Sequence, residues 1–133
     1  MLASAIESLR IFLHVLGATV WVGGQLTLAA LVPVLKAMDP TLPKKAARAF
    51  NKVAWPAFGL LVLTGIWNVA STPAGSSANY NTVLGLKMAV VTLSGVSAYL
   101  HSKAKSTPAL AIWGAVSGLS ALSALYLGAW LAG

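Results

Sequence analysis

The chain has 133 residues, of which 58% are hydrophobic and only 8% are charged. Soluble domains carry roughly 25% charged residues, so this composition excludes an ordinary soluble domain. Nine basic and two acidic residues give a net charge of +7, and the sequence contains no cysteine, which excludes disulfides, iron–sulfur clusters and thiolate metal sites.

Long segments without charged residues indicate helices that cross a membrane. Residues 11–35 and 106–133 contain no charged side chain, and Lys87 alone interrupts residues 53–100. A helix of about 20 apolar residues is long enough to span a bilayer. We therefore predict an all-α integral membrane protein.

Turn-forming residues divide these segments into four helices. The separating stretches read "MDPTLPKK", "STPAGSSANYN" and "KAKSTPA", all rich in residues that favour turns. Short connections favour antiparallel neighbours, so we predict a single domain, 1–133, that forms a four-transmembrane-helix antiparallel bundle. The predicted helices cover residues of about 8–35, 53–71, 82–102 and 109–132.

The placement of the basic residues predicts the orientation of the bundle. Seven of the nine lie near the first and third connections: Lys36, Lys44, Lys45, Arg48, Lys52, Lys103 and Lys105. The positive-inside rule then places these connections in the cytoplasm and both termini outside the cell membrane. Because this topology accounts for the charge, we expect the lipid bilayer as partner, with anionic lipid at the basic connections, and no nucleic acid.

Two ionisable residues lie at the same depth in this topology. Helices rise about 1.5 Å per residue, so His14 and Lys87 lie about 9 Å and about 8 Å inside the outer ends of the first and third helices. The second helix reaches this layer near Thr64–Asn68, and the fourth near Tyr126. Ionisable groups inside membrane helices are rare and costly, so a pair in one layer predicts a functional site.

Small and aromatic residues follow His14 on its own helix. Gly17, Trp21 and Gly24 share a stripe with it, and glycine lets a planar group approach a helix closely. Imidazole is a good ligand for haem iron and for copper. We predict haem b with His14 as its axial ligand and these three residues as walls of the pocket.

The remaining predicted site residues would complete this pocket. Lys87, which we predict as the catalytic residue, would pair with a propionate or an anionic substrate, and Asn68 and Tyr126 would supply hydrogen bonds. The chemistry would be electron transfer or a haem-centred redox reaction, with quinone or a small oxidant as partner. His101 is a weaker metal candidate, because it lies about 21 Å beyond Lys87 along the third helix.

The third and fourth helices carry further patterned residues. Lys87, Ser94 and His101 are seven residues apart and share one stripe. Small residues in the fourth helix, including Gly114 and Gly118 in G-x-x-x-G spacing, allow close helix packing. This small face would pack either inside the bundle or against a second copy, which leaves a homodimer open.

Two other functions compete with a haem protein. A copper transporter would use His14 as a transient ligand, but it would be expected to carry clusters of methionine or cysteine. The chain has three methionines, and of these only Met88 lies within a predicted helix, so the composition favours haem. In the third function His14 would only bond to a neighbouring helix, and the protein would be an accessory membrane subunit without a cofactor.

Three segments resemble a known family. "LHVLGATVWVGGQLTLAALVPVL", "ARAFNKVAWPAFGLLVLTGIWNV" and "NTVLGLKMAVVTLSGVSAYLH" resemble the first three helices of CopD-type copper-resistance membrane domains. The helix with His followed by Trp and the third helix with Lys are also similar to those of HemJ-type protoporphyrinogen oxidases, four-helix membrane proteins that bind haem b. The resemblance implies haem-site or metal-site roles for His14, Lys87 and His101, and either copper transport or porphyrin oxidation as the activity.

Overall fold

The computed structural model describes residues 4–72 and 77–132, and within these ranges it contains helices and no strand. Four helical spans are long and apolar enough to cross a membrane: Ala5–Met38, Leu42–Ala70, Ala78–Lys103 and Thr107–Ala132. The predicted all-α fold with four candidate membrane-spanning helices is therefore confirmed. Residues 73–76 of the predicted second connection lie outside the described residues.

The first span contains a π-helical turn that the sequence did not predict. Helix α1 (Ala5–Ala18) continues through this turn (Thr19–Gly23) into α2 (Gly24–Met38). The backbone N–H of Glu7 donates to Ser4 Oγ, and Ser4 N–H donates to the Glu7 carboxylate, which fixes the start of α1. The span ends at Met38 instead of near residue 35, because membrane helices tolerate an internal proline such as Pro33.

Helix α3 (Leu42–Ala70) begins eleven residues before the predicted start at residue 53. Its first turns contain Lys, Arg and Ala, which favour helices, and Pro43 lies in the first turn, where it is tolerated. The charge-free run therefore marked only the part of this helix that is apolar enough to cross a membrane. The basic residues Lys44, Lys45, Arg48 and Lys52 are exposed residues of this helix and do not lie in a loop.

A tight turn over residues 39–41 joins α2 to α3. The carboxylate of Asp39 accepts hydrogen bonds from the backbone N–H of Thr41 at 2.8 Å and from its hydroxyl at 2.9 Å. The same two bonds hold the pKa of the Asp39 carboxyl below its ordinary value. This reversal pairs the first span with α3 as an antiparallel hairpin, which we call the first hairpin (residues 4–72).

Helices α4 (Ala78–Lys103) and α5 (Thr107–Ala132) form the second hairpin (residues 77–132). Ser77 Oγ accepts from the backbone N–H of Tyr80, so α4 begins four residues before the predicted start. Ser106 Oγ accepts from the N–H of Ala109 in the same way, and α5 begins two residues early. The chain divides into two compact units at Thr72, and each hairpin belongs to one of them.

Small residues form the contact inside the second hairpin. The hydroxyl of Ser94 donates to the Ser117 carbonyl at 3.1 Å, and that of Ser117 donates to the Ser94 carbonyl at the same distance. Both serines are buried, with exposed fractions of 1% and 2%. Small residues let membrane helices approach closely. This part of the small face of α5 therefore packs against α4.

Candidate functional site

His14 is bonded across the first hairpin to Thr64. Its Nδ1 lies 2.7 Å from Thr64 Oγ1, which in turn lies 2.6 Å from the carbonyl oxygen of Leu60 on its own helix. A hydroxyl has one hydrogen, and the Leu60 carbonyl can only accept it. Thr64 Oγ1 therefore accepts from His14 Nδ1–H. In the neutral imidazole this bond places the lone pair on Nε2, as in many metal-binding histidines.

The surroundings of His14 on α3 agree with the depth obtained by counting residues. Thr64 is 3% exposed and lies in the predicted layer Thr64–Asn68. A Cβ added to Gly65 would lie 3.8 Å from His14 Cε1, so the imidazole lies beside this glycine. The predicted site set omits Thr64 and Gly65. Counting residues from the helix ends predicted that this turn of α3 lies at the level of His14, and Thr64 is the residue in this turn that has a hydroxyl group.

Asn68 lies one turn beyond Thr64 on the same face of α3. Its side chain is half-buried, and its backbone carbonyl accepts from the hydroxyl of Thr72 at 3.0 Å. Residues four apart on a helix are neighbours on its surface. The structure therefore places Asn68 next to the turn that contacts His14, towards the end of the hairpin where α1 begins.

Trp21 belongs to a buried aromatic cluster between the π-helical turn and α3. It is 4% exposed, and its ring centre lies 4.5 Å from that of Phe58 and 5.3 Å from that of Trp55. π-Helical turns inside α-helices are frequent at functional sites. Trp21 follows His14 by two helical turns, or about 10 Å along the axis. The cluster therefore borders the His14 layer on the side of the α2–α3 turn.

The two glycines predicted as walls are positions where α3 approaches the first span. A Cβ on Gly17 would lie 3.0 Å from both the Ala57 carbonyl oxygen and Leu61 Cγ. A Cβ on Gly24 would collide with the ring of Phe50. The space beside both glycines is therefore filled by residues of α3.

The predicted stripe on α4 is the face that contacts α5. A Cβ on Gly128 would lie 3.0 Å from Lys87 Nζ, and one on Gly114 would lie 3.1 Å from His101 Cε1. His101 Nδ1 donates to the carbonyl oxygen of Leu110 at 2.9 Å. Two glycines of α5 thus make room for the two basic side chains at either end of the stripe.

Tyr126 lies at the level of Lys87 but on another face of α5. The residue is 70% exposed, and its ring centre lies 6.5 Å from that of Trp130. Gly128, which contacts Lys87, is about 200° further around the helix. Tyr126 instead lines an open, mostly apolar groove of about 480 Å³. The other lining residues are Leu86, Val90, Leu122, Ser123 and Leu127.

The predicted site residues are divided between the two hairpins. The first contains His14, Gly17, Trp21, Gly24 and Asn68, and the second contains Lys87, His101 and Tyr126. The common layer of His14 and Lys87 concerns both hairpins and stays a prediction. Among the described residues, no group of three or more His, Cys, Asp or Glu side chains is arranged to hold a metal ion.

Comparisons with known proteins identify no relative of this chain. No protein-family model matches the chain, and neither curated proteins nor solved structures give a match. The candidate site therefore rests on its own residues, with the bonded pair His14 and Thr64 as its best-defined part.

Proposed function

We propose that this chain is a membrane b-type haem-binding protein with a redox or electron-transfer role, in which His14 is an axial ligand of the iron. The observation that carries the proposal is the 2.7 Å hydrogen bond between His14 Nδ1 and Thr64 Oγ1, in which the bond of Thr64 to the Leu60 carbonyl makes Nδ1 the donor. A ligating histidine typically donates its second ring N–H to a protein acceptor, which orients the ring and makes Nε2 a better ligand. An ionisable histidine in a candidate membrane span is also energetically unfavourable, and such residues typically belong to a functional site.

Other residues of the first hairpin suit the same role. Haem is flat and apolar with two anionic propionates, so it requires apolar and aromatic neighbours together with polar groups at one edge. The aromatic cluster around Trp21 would supply the apolar and aromatic neighbours, and Asn68 would supply a hydrogen-bonding group one turn from Thr64. Bound haem would supply an iron that alternates between ferric and ferrous states. The electron partner would be a quinone or a small oxidant in the cell membrane.

The experiment is absorption spectroscopy of the protein purified in mild detergent. We expect a Soret band, with α and β bands after reduction, in the wild type or after addition of haemin. His14→Ala should remove this spectrum. His101→Ala is the matched control, because His101 is also a half-buried histidine whose Nδ1 is bonded to a neighbouring helix. It should leave the spectrum unchanged.

The other outcomes are equally specific. A colourless protein that takes up no haemin overturns the proposal. A haem spectrum that survives His14→Ala overturns the ligand assignment alone. Copper that copurifies and is lost in His14→Ala would favour the copper transporter. Oxidation of protoporphyrinogen by the haem-loaded protein would identify the redox role as porphyrin oxidation.

A further inference from the structure

Arg10 is the charged residue nearest to His14 along the chain. It precedes His14 by four residues, so the two lie on one face of α1 and about 6 Å apart along the helix axis. His14 contacts α3 on this face. Iron and a propionate carboxylate of haem are separated by a distance of the same order. A ligand bound through His14 can therefore extend along α1 as far as Arg10.

The guanidinium of Arg10 contains a buried donor without a hydrogen-bond partner. Its Nε is shielded from solvent and bonds to no other group among the described residues. A buried donor without an acceptor is costly, and the cost rises when the group is charged. Arginine is always charged in proteins and binds carboxylates in a two-pronged arrangement. An anionic oxygen group from a ligand would satisfy this donor.

The chain itself offers few acidic partners. Its only two acidic residues are Glu7 and Asp39. The Glu7 carboxylate accepts from the backbone of Ser4, and that of Asp39 accepts from Thr41 in the turn at the opposite end of the hairpin. Glu7 lies three residues before Arg10 on α1, where its carboxylate is bonded to the N-cap residue Ser4, and Asp39 is at the far end of the hairpin. Neither carboxylate bonds to the buried Nε of Arg10, so we expect an anionic group of a ligand to supply its acceptor.

We propose that Arg10 binds a propionate carboxylate of the haem whose iron is held by His14. This inference rests on the proposed function and adds the residue that orients the porphyrin. The sequence predicts a propionate or an anionic substrate as the partner of Lys87, and the Lys87 ammonium lies against Gly128 in the second hairpin. Arg10 has the same positive charge as Lys87, and it lies on α1, the helix that also contains His14.

The test compares binding of haemin with that of haemin dimethyl ester, whose propionates are neutral, to wild-type protein and to Arg10→Gln. We expect Arg10→Gln to weaken haemin binding about tenfold, because a hydrogen bond to a charged group is lost. The ester should bind both proteins equally. Arg10→Lys should recover part of the haemin affinity. Arg48→Gln is the matched control, since Arg48 is an exposed arginine near the opposite end of the hairpin, and it should change neither affinity.

The outcomes separate this inference from the proposed function. If wild-type protein binds haemin and His14→Ala abolishes binding, but Arg10→Gln has no effect, the inference is overturned and the haem function stands. Equal weakening of haemin and ester by Arg10→Gln also overturns it, because the effect would not depend on the carboxylate. Loss of copurifying anionic lipid at unchanged haemin affinity would assign Arg10 to a lipid phosphate. If wild-type protein binds no haemin, both proposals fall.

Discussion

The hydroxyl of Thr64 accepts from His14 Nδ1 and donates to its own helix, so one residue sets the orientation and tautomer of the imidazole. Thr64→Val keeps the shape of the side chain and removes both bonds. Loss of such a partner typically weakens metal binding by 10-fold to 100-fold. We therefore expect Thr64→Val to weaken haemin binding by at least about tenfold in a spectroscopic titration.

The matched control for this substitution is Thr92→Val. The Thr92 hydroxyl also donates to the carbonyl four residues earlier on its helix, but it is exposed and lies in the second hairpin. The Thr92→Val protein should bind haemin with the affinity of the wild type. Equal affinities of the Thr64→Val and Thr92→Val proteins would show that the bond to Thr64 does not support a ligand. Thermal unfolding of both variants distinguishes a binding defect from a folding defect.

Residue counting gives the level of a side chain along a helix but not the direction in which it points. Depth along a helix depends only on the rise per residue, so the level of His14 with Thr64–Asn68 follows from the sequence. The direction in which a side chain points depends on helix packing, which a single sequence does not contain. Gly17 and Gly24 were therefore predicted beside a ligand, whereas the structure places them against α3.

Among the secondary-structure elements, the contact between α1 and α3 depends on Gly17. Its missing Cβ leaves room for a backbone carbonyl of Ala57, which cannot move aside as a flexible side chain can. Overpacking of this kind costs about 1–3 kcal/mol. We expect Gly17→Ala to lower the free energy of unfolding of the detergent-solubilised protein by about that amount.

Gly59→Ala is the matched control for this prediction, because a Cβ there meets nothing within 4 Å. Alanine inside a helix is favoured over glycine by about 0.5–1 kcal/mol, so this variant should be as stable as the wild type or slightly more stable. Both variants are compared by denaturant unfolding monitored by circular dichroism. A Gly17→Ala protein as stable as Gly59→Ala would contradict the close approach of α1 and α3.

The bounds of the helices show which sequence features predict the position of a membrane span and which predict its ends. Charge-free runs identified all four spans, because the cost of a charge in lipid is large compared with any local preference. They gave a late start for α3, since its first turns are basic yet favour a helix. The π-helical turn at Thr19–Gly23 had no sequence pattern that distinguishes it from the surrounding helix.

The distribution of charge over the whole molecule predicts its orientation in the membrane. Five of its basic residues lie in the last turn of α2 or the first three turns of α3, which flank residues 39–41: Lys36, Lys44, Lys45, Arg48 and Lys52. Two more, Lys103 and Lys105, lie at the connection between α4 and α5. Positive charge is retained on the cytoplasmic side, so these two connections should face the cytoplasm. His14 would then lie near the outer surface, where an external oxidant or a quinone would reach a bound haem.

This orientation can be tested directly, because the sequence contains no cysteine and any introduced one is unique. Pro40→Cys and Ser102→Cys lie at the predicted cytoplasmic ends, and Ser71→Cys lies at the predicted outer end; all three positions are exposed. We expect a membrane-impermeant maleimide to label only Ser71→Cys in intact cells and all three after permeabilisation. Labelling of Pro40→Cys and Ser102→Cys alone in intact cells would reverse the orientation. It would place His14 near the cytoplasmic surface and make a cytoplasmic electron partner necessary.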